Sequence, residues 1–84
     1  MPTTVVYHVT PRVNEKSIRA RGLLGDTVWV VASAKVDWAI NHTVKRHGTT
    51  DVSVIPFRIQ RTRLTRYKRG IYRHAGPVPA ARAL

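Results

Sequence analysis

Residues 5–11 read Val5-Val6-Tyr7-His8-Val9-Thr10-Pro11, and residues 14–24 follow with the letters NEKSIRARGLL. The first stretch is rich in β-branched and aromatic residues, which predicts a strand over residues 4–9. Asn14 is a favoured N-cap, Val13 is placed to pack on Ile18, and a glycine follows as a left-handed stop. These features predict a short helix over residues 15–21. The strand would end in an imidazole and a hydroxyl group that a ligand can reach.

The remaining chain alternates strand and helix patterns. We predict strands over residues 27–31, 52–59 and 70–74, and a helix over about residues 34–47 that Ser33 caps. Pro56 lies inside the third strand and indicates an edge position, because proline has no N–H for a sheet ladder. The chain is expected to form one domain over residues 1–84. Its fold class is predicted as α+β, a small sheet of about four to five strands with two helices packed on it.

The composition is strongly basic. The formal net charge is +11, and the acidic residues are Glu15, Asp26, Asp37 and Asp51 alone. A small domain with this charge attracts polyanions, so nucleic acid is the first candidate partner, an anionic membrane surface the second and an acidic protein the third. The longest apolar run is far shorter than the ~20 residues that cross a bilayer. We therefore expect nucleic acid or an acidic protein as the partner and no membrane.

The start of the chain and its cysteine count bear on its location. The chain has no cysteine, which permits a reducing compartment, and residues 1–4 show no basic or apolar signal region. A cytoplasmic protein is therefore expected. His42 and His47 are five residues apart on the predicted second helix and do not share a face, so no metal site is expected. The oligomeric state stays open at this level.

Basic residues are concentrated in residues 58–69, which read RIQRTRLTRYKR. Interleaved threonines and a tyrosine suit phosphate contacts with occasional base stacking. We predict a loop or partly ordered arm at about residues 60–69. The alternative is a solvated loop whose charge only aids solubility. The candidate nucleic-acid-binding residues are Arg58, Arg61, Arg63, Arg66, Lys68, Arg69 and Arg73.

Several short motifs together resemble a known family. A strand ending Tyr7-His8-Val9-Thr10, a short helix closed by Gly22-Leu23-Leu24, and a strand Val28-Trp29-Val30-Val31-Ala32-Ser33 before another helix are similar to the opening of ADP-ribosyltransferase-like domains. The nearest branches are the DNA-modifying toxins and the RNA 2′-phosphotransferases. The resemblance covers about half of the chain, and it implies a minimal ADP-ribosyltransferase-like fold with NAD as its cofactor.

The resemblance also implies roles for individual residues. His8 and Thr10 would hold the nicotinamide ribose, Trp29 would stack on the nicotinamide, and Ser33 would begin the helix beside the pocket. Tyr72 would join His8 as a catalytic residue. In the phosphotransferase branch, arginines surround a phosphate, which Arg12, Arg69 and Arg73 could do here. Without the resemblance, His8 is as readily a structural histidine, and Trp29 and Trp38 are core or partner-surface aromatics.

One feature of the family is missing from this sequence. ADP-ribosyl transfer in the family uses a late glutamate that supports oxocarbenium charge, and this chain has no acidic residue after Asp51. Two hypotheses follow. The first is a transferase-like domain, with or without catalysis, that acts on or near nucleic acid. The second is a non-enzymatic basic module that binds nucleic acid or protein, such as a small phage or mobile-element inhibitor of host machinery.

Overall fold

The computed structural model describes residues 2–84 and contains five strands and two α-helices. The strands are β1 (Thr3–Pro11), β2 (Thr27–Val31), β3 (Val52–Gln60), β4 (Leu64–Lys68) and β5 (Ile71–Ala75). The helices are α1 (Glu15–Arg21) and α2 (Val36–His47), and single 3₁₀ turns lie at Arg12–Asn14, Ser33–Lys35, Arg61–Arg63 and Ala80–Arg82. The α+β prediction is confirmed. Within residues 2–84, no helix is long and apolar enough to cross a lipid bilayer.

The strands form one antiparallel sheet in the order β3-β1-β2-β5-β4. β3 is an edge strand, as its proline indicated. Pro56 lies opposite Tyr7 of β1, and its carbonyl oxygen accepts a hydrogen bond of 2.9 Å from the backbone N–H of Leu84. The end of the chain therefore covers part of this edge, where proline leaves no N–H to satisfy.

The sheet separates two apolar layers, because successive side chains of a strand point to opposite faces. On one face, Val6, Val30 and Phe57 form a core with Ile18 of α1 and Val78 from the segment after β5. On the other face, Val31 and Ile71 pack against Ala39 of α2. The short helix and the C-terminal segment thus cover one side of the sheet, and the long helix covers the other.

The sheet is weakly joined between β1 and β2, which are neighbours in its middle. β1 pairs with β3 along its whole length, from Thr3 opposite Gln60 to Pro11 opposite Val52, and β2 pairs with β5 along its whole length. Between β1 and β2, by contrast, the single registered pair is Tyr7 opposite Val31. The other residues of β1 and β2 are not paired with each other, so the sheet is split in its middle.

Several local predictions need correction. Asn14 makes no side-chain cap, and its amide donates instead to the Thr10 hydroxyl at 3.2 Å, because a 3₁₀ turn lies directly before α1. Val13 is exposed and forms no staple. Ser33 also makes no side-chain cap, since the turn Ser33–Lys35 separates it from the start of α2. The predicted basic loop is wrong for residues 64–68, which form edge strand β4 against β5.

Gly22 allows the chain to turn sharply between α1 and the core. Its φ is +82°, and a Cβ atom there would come within 2.1 Å of the Val78 carbonyl oxygen, which already accepts from the Leu23 N–H. Gly48 also has a positive φ, but nothing lies within 4 Å of a Cβ placed there. Comparing alanine substitutions at the two glycines therefore distinguishes the cost of the backbone conformation from the cost of the close contact.

We expect Gly22→Ala to lower the free energy of unfolding by about 3 kcal/mol or more, because it adds a backbone collision to conformational strain. Gly48→Ala should cost about 1–2 kcal/mol, the cost of a left-handed conformation alone. Urea unfolding followed by circular dichroism measures both. Equal stabilities of the two variants would contradict the close approach of Gly22 to Val78.

Candidate functional site

A solvent-open cavity of about 610 Å³ lies between α2 and the split in the sheet. The two separated strands supply Tyr7, His8, Val9, Trp29 and Val31. Helix α2 supplies Trp38, Ala39, His42, Thr43, Arg46 and His47, and the β4–β5 hairpin supplies Tyr67, Lys68 and Ile71. The cavity thus joins parts of the chain that are distant in sequence.

Exposed aromatic rings form much of its wall. Trp29, Trp38 and Tyr67 are 46%, 47% and 56% exposed, which is unusual for side chains of this size. Trp29 and Tyr67 meet edge to face, with ring centroids 5.1 Å apart and planes at 86°. Trp38 stacks on His42 at 5.2 Å with planes at 11°. Flat apolar faces are therefore held in fixed orientations and remain open to a ligand.

The rim of the cavity is cationic. Arg46 and Lys68 line it, the Lys68 ammonium lies 5.6 Å from the centre of the Tyr67 ring, and the Arg73 guanidinium lies 5.9 Å from the Trp29 ring. These distances fit cation–π contacts. No carboxylate lines the cavity in the part of the chain that the structure describes. The site therefore favours anionic ligands that carry an aromatic group.

The acidic side chains that form ion pairs lie elsewhere. Asp51 pairs with Arg12 at 2.6 Å. Glu15 contacts Arg19 and accepts a hydrogen bond of 2.6 Å from the Ser53 hydroxyl, and the Ser53 bond, followed by the Arg19 contact, lowers the pKa of Glu15. These contacts hold α1 and the turn before it near the start of β3. They leave the cations beside the cavity without a carboxylate partner.

His8 lies at the split itself. Its Nδ1 is 3.0 Å from the Trp29 carbonyl oxygen. A carbonyl oxygen only accepts, so Nδ1 carries the proton and, in the neutral ring, Nε2 keeps a lone pair. Within residues 2–84 Nε2 has no hydrogen-bond partner, and it is not sealed from solvent. Burial lowers the pKa of His8 below 6.5, and the bond to the Trp29 carbonyl opposes this effect. The neutral ring can accept a hydrogen bond from a ligand.

The structure brings together two of the residues that the resemblance assigned to a pocket, His8 and Trp29. Thr10 is buried, and its hydroxyl accepts from Asn14 outside the cavity. Ser33 is exposed in its 3₁₀ turn and does not line the cavity. Tyr72 lies opposite Val30 and packs against the core on the other face of the sheet. The wall facing His8 is therefore made by Trp38 and Tyr67, and not by Tyr72.

The seven basic residues predicted to bind nucleic acid are all exposed, but they are spread over three strands and two turns. Lys68 lines the cavity and Arg73 lies over Trp29. Sequence reasoning missed Arg46, His42 and Tyr67 as cavity residues. The spacing on α2 could have indicated this grouping, because Trp38, His42 and Arg46 are four residues apart and so share one helix face.

A comparison with protein-family models finds no match for this chain, and a comparison with curated proteins finds none either.

His8 makes the stability of the fold dependent on pH. Its folded-state pKa is lowered, so the unfolded chain binds more protons as the pH falls through 6.5. The contribution of His8 is fully present above this pH and is lost toward the lower, folded-state pKa. We expect the free energy of unfolding to fall between pH 7.5 and 5, and His8→Gln to remove part of that slope. Urea unfolding at each pH measures this free energy. An unchanged pH dependence in His8→Gln would show that His8 does not cause it.

Proposed function

We propose that this protein binds single-stranded nucleic acid and takes one unstacked base into the cavity between α2 and the split sheet. The observation that carries the proposal is that three exposed aromatic rings, Trp29, Trp38 and Tyr67, line one cavity together with cations. Within residues 2–84 no carboxylate lines it. Its volume lies within the ~300–1,000 Å³ typical of small-ligand sites. Stacking on aromatic side chains is how proteins commonly bind unpaired bases.

A single strand fits this site better than a duplex does. The faces of duplex bases are covered by their neighbours, so exposed rings such as Trp29 and Trp38 could not stack on them without unstacking the helix. In a single strand the base faces are accessible, and the flanking phosphates can lie along the rim. Arg46, Lys68 and Arg73 are placed to neutralise those phosphates.

The wider charge distribution supports the same function. Arg58, Arg61, Arg63, Arg66 and Arg69 are exposed, and none has a carboxylate within salt-bridge distance among the described residues. Cations of this kind attract the phosphate backbone without regard to sequence. A cytoplasmic location, where such strands are available, belongs to the same proposal. An acidic protein would also satisfy the charge, but flat aromatic faces around a cavity favour a planar base as the occupant.

The second candidate is an NAD site in the same cavity, as the resemblance to ADP-ribosyltransferase-like domains implies. It is favoured by one observation, the position of His8 and Trp29 on opposite sides of the split. The Nε2 atom of His8 could accept from a ribose hydroxyl, and the Trp29 face could carry a nicotinamide ring. Among residues 2–84 no carboxylate that could support oxocarbenium charge lines the cavity, so what this candidate proposes is NAD binding.

The first test measures the affinity for a fluorescent single-stranded oligonucleotide at several salt concentrations. Trp29→Ala and Tyr67→Ala should each weaken binding about tenfold or more, because base stacking contributes ~1–3 kcal/mol per base. Leu24→Ala is the matched control, since Leu24 is also exposed and apolar but lies outside the cavity. Both tryptophans line the cavity, so quenching of intrinsic fluorescence reports the same event.

The same experiment separates charge from stacking. Wild-type affinity should fall steeply with salt, and Arg46→Gln and Lys68→Gln should each reduce the slope of log K against log salt by about one unit or less. Trp29→Ala should leave the slope unchanged. Lys16→Gln on α1 is the control for lost charge. Binding that is insensitive to salt, or aromatic variants that bind like the wild type, would contradict the proposal.

A second test decides between a nucleic acid and NAD. If NAD occupies the cavity, millimolar NAD should raise the melting temperature, because a ligand that binds the folded state stabilises it by mass action. His8→Ala should abolish that shift while retaining most oligonucleotide binding. We expect the oligonucleotide to raise the melting temperature more than NAD at equal concentration. A larger effect of NAD that depends on His8 would favour the second candidate.

A further inference from the structure

A second, smaller cavity of about 200 Å³ lies on the other side of the molecule from α2. Its walls come from the end of β3 with the turn Arg61–Arg63, from β5, and from the C-terminal segment with the turn Ala80–Arg82. It shares no lining residue with the aromatic cavity. Its volume is below the range typical of sites for drug-sized ligands, so a small group is the expected occupant.

One polar side chain at this cavity is almost completely buried. His74 is 6% exposed and lies on β5 opposite Val28, on the core face of the sheet. Its Nδ1 is 3.0 Å from the Gly76 carbonyl oxygen, so Nδ1 carries a proton and donates. Within residues 2–84, Nε2 has no partner in the chain and is not sealed from solvent. Since His74 lines the cavity, this nitrogen is available to a ligand there.

Two arginines line the same cavity. They are Arg63 and Arg82, and Gln60 lines it as well. Among the described residues, carboxylates lie within salt-bridge distance of Arg12 and Arg19, and none lies that close to Arg63 or Arg82. Two cations at one cavity would both be neutralised by a bound anion.

We propose that this cavity binds a phosphate group. Arginine forks match the oxygens of a phosphate and donate to two of them at once, and two arginines are present. Gln60 can donate through its amide, and His74 Nε2 either donates when protonated or accepts from a protonated phosphate oxygen. The prolines beside Val78 give the site a rigid apolar wall. The group is either free phosphate or the terminal phosphate of a nucleic-acid strand.

The test follows the ring signals of His74 by NMR while sodium phosphate is added, with sodium chloride of equal ionic strength as the reference. The expected result is a saturable change with phosphate that chloride does not produce. Arg63→Gln and Arg82→Gln should each weaken phosphate binding about tenfold, the loss of a charge-assisted hydrogen bond. Arg21→Gln is the matched control, because Arg21 is also an exposed arginine but does not line the cavity.

A second arm identifies the source of the phosphate. Oligonucleotides with and without a 5′-phosphate are compared for their effect on the same His74 signals. A change that requires the 5′-phosphate assigns the site to a strand end, and a change with inorganic phosphate alone assigns it to free phosphate. Trp29→Ala should leave the phosphate response intact, so failure of the aromatic site is distinguishable from failure of this one. No response beyond that of chloride, or wild-type binding by both Arg63→Gln and Arg82→Gln, would overturn the proposal.

Discussion

The hydrogen bond from the His8 ring to the Trp29 carbonyl oxygen lies where the ladder between β1 and β2 ends. A sheet that opens in its middle leaves backbone groups without a ladder partner, and these groups bond to side chains or to water instead. The imidazole satisfies one of them and at the same time occupies the opening. Beside this contact β1 and β2 are apart, and a cavity lies between them and α2. His8 of β1 and Trp29 of β2 both line that cavity.

Charge and stability are closely linked in a domain of this size. The chain has 84 residues, which leaves a small core, and its net charge of +11 opposes compaction. The ion pairs among residues 2–84, Arg12 with Asp51 and Arg19 with Glu15, lie near α1, and none involves Arg46 or Lys68 beside the aromatic cavity. A polyanion bound there would therefore stabilise the fold as well as occupy the site. Binding and folding stability are expected to change together with salt.

The resemblance to ADP-ribosyltransferase-like domains pointed to five pocket residues, of which His8 and Trp29 meet at one cavity. Thr10 and Tyr72 are turned toward the opposite layer, since both occupy the core-facing positions of their strands. The cavity is completed by Trp38, Arg46 and Tyr67, which supply aromatic surface and positive charge. An aromatic, cationic cavity of this kind is suited to holding a nucleotide unit, and its chemistry requires no carboxylate.

Local pattern alone predicted much of this protein. The strand over residues 27–31, the helix ending at Gly22 and the edge position of Pro56 all follow from side-chain shape and backbone freedom, which act within a few residues. The basic strand β4 was missed, because an exposed edge strand buries almost no side chain and so shows no alternation of apolar residues. Tertiary structure alone decided that β1 and β2 separate, and that Trp29, Trp38 and Tyr67 line one cavity. Those contacts join residues from different elements, and their geometry depends on how the layers pack and not on any spacing along the chain.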